Sequence, residues 1–166
     1  MRPLPLLVGL ALSLAGCATA PAPLPVPFVA QQPDYCGPAA LAMVAAFYGR
    51  SVSQEEIARD VFLPHVRGSL TAELASYARR LGLAARQYRG SWEDLRENLA
   101  AKRPVIVLAK TGSHYHYMVV LGLNESAGTV TVHSDTRPRL RLSREEFQRR
   151  WDGAERWTLL VQPAAR

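Results

Sequence analysis

The stretch from Gln31 to Gly49 constrains the fold of this 166-residue chain more than any other part of it. It has the sequence QQPDYCGPAALAMVAAFYG, and apolar residues follow Cys36 almost without interruption. A helix that is apolar nearly all round belongs in a core. Gly37 and Pro38 suit its first turn, where proline lacks only an N–H that is unpaired there, and Gly49 suits the position just past its end. The sequence therefore predicts a buried helix that begins at a cysteine.

Cys36 is a candidate nucleophile because of this position. The first N–H groups of a helix have no partner within the helix, and the helix dipole is positive at that end. Both effects favour a thiolate, which is the reactive form of cysteine. We therefore expect a lowered pKa for the Cys36 thiol. The alternative is that Cys36 is a small apolar core residue.

The remaining pattern places helices first and strands after them. Ser53 with Glu56 and Ser91 with Asp94 predict capping boxes that open two helices, and a further helix is predicted over 70–81. Strands are predicted over 83–88, 104–109, 114–123, 129–133, 138–142 and 157–161, the last closing the sheet, and a final helix begins after Ser143. This layout predicts an α+β fold in which N-terminal helices pack on a mostly antiparallel sheet.

His116 is the candidate general base. It shares one face of the predicted strand with His114 and Met118, and it lies toward the apolar part of that face, whereas His114 lies nearer the preceding turn. A core histidine bonded to a carbonyl is one alternative. The other is a zinc site formed by Cys36, His114 and His116, with His133 as fourth ligand.

The strings CGPAAL at Cys36 and HYMVVLG at His116 resemble the bacteriocin-processing (double-glycine leader) peptidases, which are papain-like cysteine peptidases. The resemblance extends from Val26 to Pro163. It implies the papain-like fold, with Cys36 as nucleophile and His116 as base.

The resemblance also implies two supporting groups. An upstream glutamine helps to form the oxyanion hole in this family; Gln31 fits the spacing better than Gln32. An aspartate orients the histidine, and Asp135 is the corresponding residue. The family usually has Asp-Pro at that point, whereas this chain has Ser134-Asp135-Thr136, so Asp135 could instead be only a turn residue, with Ser134 as the next candidate.

The N-terminus predicts export. Residues 1–16 contain an apolar run too short to span a bilayer, which predicts a signal peptide. The string Leu-Ala-Gly-Cys that ends at Cys17 resembles a bacterial lipobox and implies lipidation of Cys17; secretion without lipid is the alternative. Residues 17–27 would then be a lipidated, proline-rich tether, and residues 28–166 the peptidase domain. Ala18 after the cysteine favours an outer-membrane lipoprotein facing the periplasm.

The composition is globular, with 48% hydrophobic and 20% charged residues and a formal net charge of +6. No nucleic-acid motif accompanies this charge, so we expect no nucleic-acid partner. We also expect no cofactor and no metal. The partners predicted are a peptide or protein substrate and, through the lipid anchor, a membrane.

The sequence thus predicts a thiol peptidase or amidase that acts on a peptide bond in the cell envelope. The 166 residues contain no recognisable ATP-binding loop, so cleavage of double-glycine leaders is not implied. A non-catalytic peptide- or protein-binding lipoprotein on the same fold and a thiol acyl transferase are the alternatives.

Overall fold

The computed structural model describes residues 21–164 of the chain. The predicted signal peptide (1–16) and the predicted lipidation site, Cys17, lie outside the described residues. Within residues 21–164, no helix is both long and apolar enough to cross a membrane. The described part is an α+β fold, which confirms the predicted fold class.

Five α-helices are present in residues 21–164, and most begin where a local signal predicts. Ser53 and Ser91 each form the predicted capping box, with Glu56 and Asp94 respectively, and the Ser143 hydroxyl accepts a hydrogen bond from the N–H of Glu146. These side chains pair N–H groups that the helices leave open at their starts. The helices are α1 (Cys36–Phe47), α2 (Gln54–Val61), α3 (Thr71–Arg80), α4 (Trp92–Ala100) and α5 (Arg144–Asp152).

The strands form a two-stranded hairpin and a six-stranded sheet, and all their recorded pairings are antiparallel. The hairpin consists of β1 (Phe62–Leu63) and β2 (Gly68–Ser69), joined by a 3-10 turn over Pro64–Val66. The strands of the sheet, in chain order, are β3 (Leu83–Arg89), β4 (Val105–Thr111), β5 (His114–Asn124), β6 (Thr129–Ser134), β7 (Arg137–Ser143) and β8 (Trp157–Pro163).

The spatial order of the sheet is β3-β8-β4-β5-β6-β7. The last strand, β8, therefore lies inside the sheet between β3 and β4, and the expectation that it closes the sheet is wrong. Leu159 on β8 pairs with Gln87 on one side and with Ile106 on the other. The chain thus returns to join its two halves, and the sheet is one continuous layer.

The core lies between the helices and this sheet. Helix α1 contacts β5, while α3 contacts β3 and α5 contacts β4. Leu41 and Val44 of α1 are fully buried, as the apolar sequence predicts. Packing this helix against β5 brings its first residue, Cys36, to the start of the strand that contains His116.

A segment from Pro23 to Phe28, here called the strap, packs against the sheet ahead of α1. Leu24 and Val26 are buried, with 4% and 6% of their surface exposed. The N–H of Leu24 donates to the carbonyl of Leu121 on β5. The proline-rich region predicted as a tether over 17–27 therefore includes residues that belong to the packed core.

Candidate active site

Helix α1 presents Cys36 at its first position. The N–H of Ala39 donates to the carbonyl of Tyr35, which closes the first turn at 2.9 Å. Gly37 lets this turn approach its neighbours closely, because a Cβ there would lie 3.0 Å from Leu74 Cδ1 and 3.3 Å from the Tyr117 ring. Because residue 37 has no side chain, the start of α1 can pack close to Tyr117 on β5 and Leu74 on α3.

Cys36 opens into a cleft of about 670 Å³. One wall is formed by residues 66–71, which follow the tip of the β1–β2 hairpin, and the other by residues 113–117 at the start of β5. Gln31, Cys36 and His116 all line this cleft. The structure therefore brings three of the four predicted catalytic residues to a single concave site.

His116 turns one ring nitrogen toward the β6–β7 turn. Its Nε2 lies 3.1 Å from the hydroxyl oxygen of Ser134 and 3.7 Å from Oδ1 of Asp135. Because Nε2 is engaged there, Nδ1 is the nitrogen that can exchange a proton with a group in the cleft. His114 is exposed at the cleft mouth, as its position beside the turn predicts.

Burial favours the neutral form of both candidate catalytic groups. It raises the pKa of the Cys36 thiol, although hydrogen bonds from the backbone N–H groups of Tyr117 and Gly37 act in the opposite direction. It also lowers the pKa of His116, which the nearby Asp135 carboxylate partly offsets. The expected low pKa of Cys36 is therefore not what this environment favours, since loss of hydration outweighs the donors at the helix start.

The two glutamines before Cys36 have different surroundings. Gln31 is partly buried and lines the cleft. The exposed side chain of Gln32 instead donates to Oε1 of Glu55 on α2. Of the two glutamines, Gln31 is therefore the one that lines the cleft, and its role as oxyanion donor stays a prediction.

His133 does not join a metal site. Its Nε2 donates to the carbonyl of Val26 and its Nδ1 accepts from the N–H of Arg139, both at 3.1 Å. Both ring nitrogens are therefore already bonded to the backbone, which removes the fourth ligand of the zinc alternative. In the part of the chain that the structure describes, no three His, Cys, Asp or Glu side chains cluster as metal ligands would.

The sequence did not predict the hairpin wall of the cleft. The Arg67 guanidinium forms a two-point ion pair with the Asp34 carboxylate, at 3.1 and 3.4 Å, across the cleft edge. Val66, Leu70 and Tyr115 expose about half of their surfaces, at 52%, 50% and 56%. The proline and glycine of this stretch indicated a break in the chain, but a hairpin with two residues per strand has too few residues for an alternating pattern.

Comparison with known proteins finds the same architecture in peptidases. A double-glycine motif protease from an AMS/PCAT transporter, solved in complex with its leader peptide, is 25% identical with a TM-score of 0.69, over 86% of this chain and 94% of that one. The peptidase domain of Streptococcus ComA, a bifunctional ABC transporter of a quorum-sensing pathway, is 25% identical with a TM-score of 0.70, over 82% and 97%.

A sequence relative and a family model complete the comparison. An uncharacterised protein of Methanothermobacter thermautotrophicus is 32% identical over 126 residues, which is 75% of this chain and 82% of that protein. The model of the peptidase C39 family matches residues 26–166, a range that contains the cleft and every group described around it. The chain therefore belongs to the peptidase C39 family.

Proposed function

We propose that this chain is a cysteine peptidase of papain-like mechanism that cleaves a peptide bond in the cell envelope. The main support is the arrangement of Cys36 and His116 in one cleft, with Nε2 of the histidine held at the β6–β7 turn and Nδ1 left for the thiol. Membership of the peptidase C39 family supports the same chemistry.

The reaction begins from a neutral pair, because burial disfavours both charged forms. As Cys36 Sγ attacks the carbonyl carbon of the substrate, His116 Nδ1 takes the thiol proton. The oxyanion receives hydrogen bonds from the backbone N–H of Cys36 and the side-chain amide of Gln31. His116 then gives its proton to the leaving amine, and the thioester left on Cys36 is hydrolysed by water that His116 deprotonates.

The cleft suits an extended peptide as substrate. It is open at the surface, and the exposed apolar side chains of Val66, Leu70 and Tyr115 on its walls would contact apolar side chains of a bound chain. The similar double-glycine motif protease binds a leader peptide, which supports a peptide as the substrate class here.

The proposed site of action is the periplasmic face of the outer membrane, with Cys17 lipidated after removal of residues 1–16. The strap packs on the domain from residue 23 onward. Residues 18–22 alone would then separate the lipid from the domain, and an extended residue spans at most about 3.6 Å. The peptidase would therefore act on substrates close to the membrane surface.

The test compares the purified full-length chain with its Cys36→Ala variant on a library of unstructured peptides, with products read by mass spectrometry. We expect the wild type to cut some members and Cys36→Ala to cut none while still binding them. Intact mass of the mature protein checks the lipid on Cys17. Binding without cleavage by both proteins would favour the binding-module alternative, and products joined to a second amine would favour the acyl transferase.

A further inference from the structure

The proposed oxyanion donor, Gln31, lies in a loop between the strap and α1. A donor on a loop stabilises a developing charge only if its backbone is held in place before the reaction. Ala30 and Gln32, on either side, are exposed and belong to no helix or strand. The loop therefore needs contacts from other parts of the fold to fix its position.

Gln54, the first residue of α2, provides contacts on both sides of Gln31. Its Nε2 donates to the carbonyl of Ala30 at 3.0 Å, and its Oε1 accepts from the N–H of Gln32 at 3.0 Å. Only 6% of Gln54 is exposed, so water competes little for these two bonds. One side-chain amide thus brackets the backbone of the residue that would bind the oxyanion.

A further contact fixes the loop from the opposite direction. The N–H of Gln31 itself donates to the carbonyl of Asp135, at 3.2 Å. Asp135 belongs to the turn that also holds the ring of His116. The loop is therefore hydrogen-bonded both to α2 and to the turn behind the proposed base, and its position depends on each.

Helix α2 is itself rigidly placed. Ile57 and Val61 are buried, with 0% and 1% exposed, and the capping box of Ser53 with Glu56 closes its first turn. Gln54 is therefore held by a packed helix rather than by a second loop.

We propose that Gln54 is a positioning residue of the active site, which holds Gln31 in the cleft by bonding the backbone on both sides of it. The proposal rests on the proposed function in taking Gln31 as the oxyanion donor. The Gln54 amide offers both a donor and an acceptor at this spacing, whereas an ionised glutamate only accepts and leucine does neither. Gln54 touches neither substrate nor thiol, so it acts through Gln31.

The first experiment measures kcat and KM for Gln54→Leu and Gln54→Glu on the library peptide that the wild type cleaves fastest. Gln54→Leu should lower kcat about tenfold to a hundredfold with KM little changed, because misplacement of a catalytic group by about 1 Å costs this much. Gln54→Glu keeps the acceptor for Gln32 but turns an oxygen toward the Ala30 carbonyl. The activity ratio, which is the kcat of Gln54→Glu divided by the kcat of wild type at the same pH, should rise as the pH falls, since only the protonated carboxyl can donate.

Two control variants separate positioning from general loss of stability. Asn98→Leu removes another buried amide, which lies on helix α4 and outside the cleft. The Asn98 side chain forms hydrogen bonds with the Tyr88 hydroxyl, the Asp94 carbonyl and the Arg103 side chain. Asn98→Leu should lower the melting temperature without lowering kcat. Gln32→Ala keeps the backbone N–H that Gln54 accepts and removes only an exposed side-chain bond to Glu55, for which water competes, so its kcat should change little.

Amide hydrogen exchange of the loop gives a second readout that needs no turnover. The N–H of Gln32 should exchange faster in Gln54→Leu than in wild type, and at the wild-type rate in Asn98→Leu. Unchanged exchange, or a Gln54→Glu activity ratio that does not vary with pH, would overturn the proposal. If the wild type cleaves no peptide, the proposed peptidase function fails, while the exchange rates still decide whether Gln54 holds the loop.

Discussion

Two polar groups of different character lie against Nε2 of His116. The Ser134 hydroxyl is the nearer, at 3.1 Å, and Ser134 is only 4% exposed. The Asp135 carboxylate lies 3.7 Å away, is 44% exposed and is shared with Arg137 at 3.6 Å. A buried hydroxyl at hydrogen-bond distance can fix the ring, whereas a solvated carboxylate at the longer distance acts mainly through its charge. Orientation and charge are therefore divided between two adjacent residues.

This division predicts different effects for the two substitutions. Ser134→Ala should lower kcat/KM about fivefold, the equivalent of one hydrogen bond worth about 1 kcal/mol, without moving the acidic limb of the pH profile. Asp135→Asn removes the charge that raises the pKa of His116, so its acidic limb should move to lower pH. The pH dependence of kcat/KM measures both effects, with Thr136→Ala in the same turn as control. A shift of the limb in Ser134→Ala alone would contradict the assignment.

The effect of burial on Cys36 and His116, which favours the neutral form of each, also predicts how the thiol reacts. Burial raises the pKa of Cys36 above its ordinary value of 9.0 and lowers that of His116 below 6.5. Alkylation by iodoacetamide, read on the peptide that contains Cys36, should therefore develop only above about pH 9. Peptide cleavage should be lost as the pH falls below 6.5, because protonated His116 cannot accept the thiol proton. Full alkylation near pH 6 would instead indicate a preformed thiolate–imidazolium pair.

At the scale of single elements, the helices were predictable because their signals are local. The apolar run after Cys36 and the capping residues Ser53, Ser91 and Ser143 lie within the elements that they specify. The burial of Leu24 and Val26 was not predicted. Prolines alternate with these two apolar residues, and composition alone indicated an extended spacer, whereas the alternation lets one side of an extended segment pack on the sheet.

The position of strands in the sheet was not predictable, because it depends on contacts distant in sequence. The apolar run from Leu159 to Val161 in β8 fits a buried strand, but no local feature specifies that its neighbours are β3 and β4. The register between β5 and β6 likewise depends on contacts distant in sequence, and it determines which residues lie beside His116. Val119 pairs with His133, and side chains alternate between the two faces along each strand, so Ser134 lies on the face of the sheet that His116 shares. This pairing, which no local pattern encodes, is what brings Ser134 nearer to the ring than Asp135.

The candidate site was therefore predictable in part. The string around Cys36 and the placement of His116 on its strand are sequence features, and Gln31 was preferred from its spacing. Gln54 has no comparable signal, since a glutamine at the start of a helix is ordinary until the structure places the loop beside it. Residues that act through a second residue are identified only once the chain is folded.

At the scale of the whole molecule, one buried histidine adds a second hydrogen-bonded link between the strap and the sheet, beside the bond from the Leu24 N–H to the Leu121 carbonyl. His133 is 2% exposed, it donates to the carbonyl of Val26 in the strap, and Phe28 packs on its ring at 5.1 Å. Its other nitrogen accepts the N–H of Arg139 on β7. Both bonds require the neutral ring with its proton on Nε2, because a charged ring would have an N–H facing the N–H of Arg139. This link between the strap and the sheet thus depends on the protonation state of His133.

The protein should accordingly lose stability in mild acid. Burial lowers the pKa of His133 in the folded state, so the unfolded chain binds the proton more readily. The stabilisation is complete above the ordinary pKa of 6.5 and is lost as the pH falls toward the lower folded value. His133→Gln cannot titrate, so its melting temperature should be lower than that of wild type at neutral pH but should fall less between about pH 7 and about pH 5.

His116→Gln is the matched control, because the pKa of His116 is also lowered by burial and contributes a pH dependence of the same sign. Comparing the melting temperatures of the two variants across pH separates the contribution of His133 from that of His116. If His133 holds the strap, its substitution should also increase hydrogen exchange at the N–H of Leu24, which bonds Leu121, whereas His116→Gln should leave that exchange unchanged. Equal pH slopes in wild type and His133→Gln would show that protonation of His133 does not weaken the attachment of the strap.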